Sequence, residues 1–355
     1  MTIKDLAERL GVSYSTVSKS LNHDPHISEK TRQRVLEEAR RCGFVLNANA
    51  RGLASRRTDR IGILFSNNFN RNEYRWFFGQ LEMYATRAVE EAGFDYYIQP
   101  HKNIRGESNI LRMVNGGQVD GLVIFSRDVT EEEYRLLEEK QFPCSYGYYN
   151  PSFLAEPHRN LFRDDDEYGG YAAADYLIRQ GHRRILTIRS DDSAMKMYEA
   201  RTQGYRRAMI GHGLQPAVLE IPMTFAAARE MLRERYAWIR TFTALFIQQD
   251  QPALSLIQEL GSRYGVRVPE DLSVIGYNDI QLIRDLDIPL TTVADPMEEV
   301  IRSAVHACVC QVRKQPEQEV RERKPELVIR DTAGTGIRQA PKTAQKSFHT
   351  FPQDL

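Results

Sequence analysis

The amino-terminal stretch of the chain is written in helical period. Ile3, Leu6, Ala7 and Leu10 recur at the spacing of one helix face, and Gly11 stands where a left-handed residue ends a helix. Ser13 can cap a second helix whose inner face is Val17 and Leu21. Ser28-Glu-Lys-Thr31 opens a third, with Val35, Leu36 and Ala39 on its apolar side, and Cys42-Gly43 closes it before Phe44. From Arg60 onward the pattern changes to short β-rich runs alternating with longer helical stretches, the order expected of parallel βαβ units. The readable strands are 61–65, 96–99, 122–125, 185–188, 244–247, 273–275 and a final one at 326–330. Between them lie helical patterns such as Leu81-Tyr84-Ala85-Ala88-Val89 ending at Gly93, and Ala172-Ala173-Tyr176-Leu177-Ile178 ending at Gly181. A small all-α unit is thus followed by a large α/β, doubly wound one.

Two short helices crossing over a three-residue turn form a helix-turn-helix, in which the second helix lies in the major groove of DNA. Its outward residues Tyr14, Ser15 and Lys19 can then reach base edges, while Ser13, Thr16, Ser18 and Asn22 are placed for phosphates, which set register without specifying sequence. Taken alone, the pattern also fits a plain amphipathic helical hairpin. The segment Asn47-Ala-Asn-Ala-Arg-Gly-Leu53 adds a short helix that is marginal in water and is expected to form only against DNA and a symmetry mate. An apolar Leu53 on such a segment suits a minor-groove wedge, although it is also compatible with an ordinary linker leucine.

Charge supports a reader at one end only. The chain of 355 residues has zero net charge, but residues 1–60 hold 12 Lys and Arg against 7 Asp and Glu, leaving the remainder negative. No apolar leader precedes Lys4, and no run of about 18 apolar residues occurs, so a cytoplasmic protein without membrane contact is expected. Cys42, Cys144, Cys308 and Cys310 lack a disulfide or zinc spacing; Cys308 and Cys310 read as helix-borne thiols in preference to metal ligands. The acidic run 164–167 reads as helix capping by Asp165 and solvated charge in preference to a metal site. Nucleotide-cradling and hydrolase motifs are missing, so neither catalytic residues nor a cofactor is expected.

The motifs T-I-K-D-x-A-x-x-x-G-V-S-x-x-T-V-S-K-x-L-N, I-S-x-x-T-R-x-R-V and N-x-x-A-R-x-L stand here in order, and with them the chain resembles the lactose-repressor (LacI/GalR) family of transcription regulators. The resemblance implies a DNA-facing set of Thr2, Lys4, Ser13, Tyr14, Ser15, Thr16, Ser18, Lys19, Asn22, His26, Ser28, Thr31, Asn47, Ala50, Arg51 and Leu53. It divides the chain into a DNA-binding domain at 1–45, a hinge at 46–59 and an effector and dimerisation domain at 60–337. A tail at 338–355 is expected to be disordered. Leu46 departs from the family's proline, and Gly52 weakens the hinge helix by about 1 kcal/mol.

For the sensor the resemblance implies a periplasmic-binding-protein-like pair of doubly wound subdomains, about 60–160 with 290–324 and about 161–289 with 325–337. Crossovers are expected near Asn160, Pro289 and Lys324. Carried over residue by residue, the cleft is lined by Phe77, Phe78, Ser126, Tyr148, Met197, Arg201, Phe225, Gln249, Asp250 and Asn278. A sugar is the first expectation for the effector. The family often has aspartates where Tyr148 and Asn278 stand, so a less neutralised Arg201 also suits an anionic effector, and a flat ring could stack on Phe78 and Phe225. The resemblance further implies a homodimeric repressor on a pseudo-palindromic operator. A solute-binding protein or a regulator that senses a protein partner are the alternative uses of such a sensor.

Overall fold

The computed structural model describes residues 2–21, 24, 26–44, 57–67, 69, 75–104, 106–155, 157–193 and 195–335. Asn22, the hinge residues Asn47, Ala50, Arg51 and Leu53, most of the loop between Ser66 and Arg75, and the tail at 338–355 lie outside them.

The reader is built by three helices, Ile3–Leu10, Tyr14–Leu21 and Glu29–Arg41. Thr2 caps the first, accepting a hydrogen bond from Asp5 N while the Asp5 carboxylate accepts from Thr2 N at 2.7 Å. Gly11 ends it with φ of 63°, which a residue without Cβ adopts at no cost. Leu6, Ala7, Leu10, Val17, Val35 and Ala39 close a miniature core, with Leu21 and Phe44 packed on its edge.

The sensor contains two six-stranded sheets. In the first, the strands run in the order Glu322–Arg323, Leu161–Asp164, Cys144–Gly147, Gly121–Phe125, Arg60–Phe65, Asp95–Pro100, all parallel. In the second the order is Glu326–Val328, Thr292–Ala294, Ser273–Asn278, Ala244–Ile247, Ile185–Ser190, Ala217–Ile221, and only Glu326–Val328 runs antiparallel. The central strands are apolar on both faces because helices cover both. Thus Ile61, Ile63 and Phe65 pack under the helices Arg75–Glu91 and Met297–Arg313, while Leu64 faces the cluster containing Ile110, Met113 and Leu137.

Two subdomain boundaries fall later than expected. Tyr146 and Gly147 pair with Leu161 and Phe162, so the strand expected to begin the second subdomain completes the first sheet. Thr292–Ala294, expected in the first, pairs with Ser273–Asn278 in the second. The chain therefore passes between sheets after Asp164, after Ala294 and between Arg323 and Glu326. Thr292–Ala294 and Glu322–Arg323 are too short to show a period, while Leu161–Asp164 and Ala217–Ile221 carry charged residues, Arg163, Asp164 and Glu220, that break the apolar run by which the other strands are read. Cys308 and Cys310 are helix-borne thiols, as expected.

Candidate functional site

On the reader, Tyr14 is 53% exposed, and Ser15 and Lys19 are exposed beside it on the second helix. They form a polar outer face opposite the buried Val17 and Ser20; Ser20 Oγ donates to Thr16 O at 2.7 Å. Ser13 caps this helix, its Oγ accepting from Thr16 N at 3.0 Å, and Ser28 does the same for the third helix from Thr31 N. The hydroxyl oxygens of Thr2, Ser13 and Ser28 are thus engaged in local caps at the three helix N-termini. Lys4 and His26 are exposed, while Thr16, Ser18 and Thr31 are half-buried.

The second site is a cavity of about 70 Å³ between the carboxyl ends of the two sheets, where the strands of doubly wound folds present their loops to ligands. Phe77, Phe78, Tyr148, Met197, Arg201, Gln249 and Asn278 line it together. Three other expected residues do not. Ser126 is fully buried, its Oγ 3.2 Å from His101 Nδ1, with His101 Nε2 2.9 Å from Glu133. Asp250 lies beneath the cavity, where its Oδ1 accepts from Thr292 Oγ1 at 2.6 Å and its Oδ2 from Ile280 N at 3.0 Å. Phe225 is the first residue of the helix Phe225–Ile239, is 40% exposed and is not part of the cavity lining.

The structure adds residues that sequence reasoning missed. Asp164, Asp166 and Asp295 all line the cavity. Reading the run 164–167 as caps and solvated charge was half right. Asp165 caps the helix Asp166–Arg179 by accepting from Tyr168 N, but Asp164 is buried and Asp166 turns inward. A strand end followed at once by a helix start sends alternate side chains in opposite directions, and the acidic repeat itself was the signal. Asp295 follows the three-residue strand Thr292–Ala294 and carried no signal of its own.

Arg201 is not the free anion anchor expected of it. Its Nε donates to Asp166 at 2.7 Å, Nη1 donates to Gln248 O at 3.0 Å, and the guanidinium lies 3.6 Å over the Tyr277 ring. Burial acts to lower its pKa, but Asp166, Tyr277 and Asp164 outweigh it and hold the guanidinium charged. Asp164 takes a hydrogen bond from the Tyr277 hydroxyl at 3.3 Å, and Tyr148 donates to Asp295 Oδ1 at 2.9 Å. Burial raises the pKa of Asp164 and of Asp166; Asp166 pushes that of Asp164 up further, whereas Arg201 pulls back both. Asp295 is pushed up to about 7, chiefly by burial, against the Tyr148 hydrogen bond and Arg201. Five carboxyl groups line the cavity, Asp128, Asp164, Asp166, Asp192 and Asp295, against two guanidiniums, Arg127 and Arg201, so acidic groups predominate there. Among the described residues that line the cavity, Arg127 Nη1, Gln249 Oε1, Asn278 Oδ1 and Asp295 Oδ2 are buried without a hydrogen-bond partner.

The cavity presents buried carboxyl, amide and guanidinium groups to its interior. The model for bacterial regulatory proteins of the lacI family matches residues 2–47, and that for a periplasmic binding protein-like domain matches residues 174–333. Over 345 residues the chain is 31% identical to the HTH-type transcriptional repressor PurR of Aliivibrio fischeri, covering 95% of this chain and 99% of the relative. It is also 31% identical over 337 residues to PurR of Vibrio cholerae, covering 93% and 97%. The lac repressor dimer bound to operator and the anti-inducer ONPF superposes with a TM-score of 0.78 at 21% identity, covering 94% of this chain and 99% of that one. The CelR–cellobiose complex superposes with a TM-score of 0.61 at 25% identity, with the same coverage of 94% and 99%. The chain belongs to the LacI family: it is a DNA-binding transcriptional repressor with a ligand-binding, periplasmic-binding-protein-like sensor, and not an enzyme.

Proposed function

We propose that two copies pair through their sensors and place two helix-turn-helix units on the half-sites of a pseudo-palindromic operator. Tyr14, Ser15 and Lys19 read base edges, the hinge residues Asn47, Ala50 and Arg51 follow the backbone, and the two Leu53 side chains wedge the central step. A sugar or sugar derivative in the cleft switches operator affinity. The observation that carries this reading is one chain bearing both an exposed recognition face and a buried, partly unpartnered polar cleft. A polyhydroxylated ligand suits unpartnered oxygens, because each hydroxyl can donate to a carboxylate or amide oxygen. The cellobiose held by CelR supports the same ligand class.

Closure of the cleft alters the separation of the first subdomains, to which the readers are joined, and so permits or prevents the paired hinge helices. Binding at the two sites is reciprocal: operator changes effector affinity by the factor with which effector changes operator affinity. The test is selection of binding sites from randomised duplex DNA, followed by titration of the selected site with sugars. Enrichment of a two-fold palindrome whose affinity responds to a cleft ligand is expected. Enrichment of asymmetric single sites would refute the dimeric reader.

A further inference from the structure

We infer that the ligand of the sensor cleft carries a protonated amine among its hydroxyl groups, and that the ammonium docks on Asp295. This rests on the reading of the cleft as the effector site and narrows the ligand class. Asp128, Asp164, Asp166, Asp192 and Asp295 line the cavity against two guanidiniums: Arg127 lies 3.7 Å from Asp128 and 3.6 Å from Asp192, and Arg201 is spent on Asp166, Gln248 O and the Tyr277 ring. Asp164 has the Tyr277 hydroxyl, and one oxygen of Asp295 has the Tyr148 hydroxyl. The other, Asp295 Oδ2, is buried with no partner among the described residues.

The chemistry of that oxygen discriminates among ligands. Gln249 and Asn278 can present an N–H or an oxygen after a half-turn of the amide, so they accommodate either polarity. A carboxylate only accepts, and when buried it must also be neutralised. A hydroxyl donates to it but leaves the charge; an ammonium does both. Phe77 and Tyr148 meet edge to face at 5.6 Å beside this point and supply ring faces that attract a cation. The backbone is bent to serve it: Tyr148 at φ of 63° and Asn278 at φ of 106° occupy left-handed conformations that non-glycine residues reach at a cost and hold mainly at functional sites. Asp295 is surrounded by Asp164, Asp166 and Glu299 on the negative side and Arg201 on the positive, with Tyr148 as donor. Burial and Asp166 push its pKa up to about 7, so a bound cation draws the proton off, and affinity falls as pH drops below that point.

The experiment uses the full-length protein and probe pairs that differ only by hydroxyl against amine: glycerol and serinol, glucose and glucosamine, with gluconate as the anionic member. Affinity is read by calorimetry and thermal shift near neutral pH. The amine of at least one pair is expected to bind about tenfold tighter than its hydroxyl partner. Asp295→Asn is expected to abolish that preference, and Asn278→Asp to enlarge it. Equal or tighter binding of the neutral members, binding of gluconate, or no binding by any amine overturns the inference. If Asp295→Asn fails to fold, Asn278→Asp and the pH series on the unaltered protein still decide. A neutral sugar that binds and shifts operator affinity removes the amine while leaving the effector-switched repressor intact. An operator response untouched by every cleft ligand removes the parent reading instead.

Discussion

The helices Asp166–Arg179 and Lys196–Gly211 cross at van der Waals contact of backbone on backbone, and Gly204→Ala tests whether that crossing sets the cleft. A Cβ at Gly204 would lie 1.8 Å from Glu167 O and 2.6 Å from Tyr171 N; one at Gly170 would lie 1.9 Å from Arg201 O. Ordinary contact needs about 3.5 Å, so the helices must part by roughly 1.5 Å, and backbone atoms cannot rotate aside as a side chain could. Overpacking of this kind costs about 3 kcal/mol, at the upper end of the usual range. In a domain of this size that lowers the melting temperature by about 6–12 °C. Because the crossing also sets the Arg201 and Asp166 pair, the cleft should lose ligand affinity by far more than the operator-binding surface loses DNA affinity. Gly211→Ala on the same helix is the control: no atom lies within 4 Å of the added Cβ, and the change should be neutral or stabilise by up to about 1 kcal/mol. The assay is thermal unfolding of both variants, with ligand binding measured on each. A Gly204→Ala protein melting with the unaltered chain would refute the close approach as the reason for glycine there.

Three further outcomes are expected. Lys19→Ala should weaken the selected operator by about 1–3 kcal/mol and relax specificity at one position of each half-site, read by repeating the selection; a uniform loss across sequences would make Lys19 a phosphate contact instead. Leu53→Ala should lower operator affinity and reduce DNA bending in a gel-phasing assay, and unchanged bending would dismiss the wedge. Asp295→Asn should remove a pH dependence of stability. The Asp295 pKa rises on folding from 3.8 to about 7, so its contribution is fully present at low pH and is lost as pH climbs toward neutrality, by up to about 4 kcal/mol. The variant should therefore match the unaltered protein in acid and exceed it above neutral pH. Parallel unfolding curves across that range would place the proton elsewhere.

The reader was legible in the sequence because everything that builds it is local. Caps at Thr2, Ser13 and Ser28, a left-handed Gly11 and apolar residues three and four apart act within one or two turns of helix. The alternation of strands and helices in the sensor was legible for the same reason, since both faces of the central strands are apolar and Gly93 and Gly181 end helices. What only the tertiary structure decided is the interior of the cleft. Seven expected residues meet there, but the fates of Ser126, Phe225 and Asp250 depend on which way a chain turns just past a strand end, where the two-residue period stops. The charge of the site was equally hidden. Arg201 looked available until the fold brought in Asp166 from a helix start, with Asp164 and Asp295 from strand ends of different sheets. Electrostatic balance in a buried cavity is a sum over groups distant in sequence, and burial strengthens each of them in a way no local pattern records.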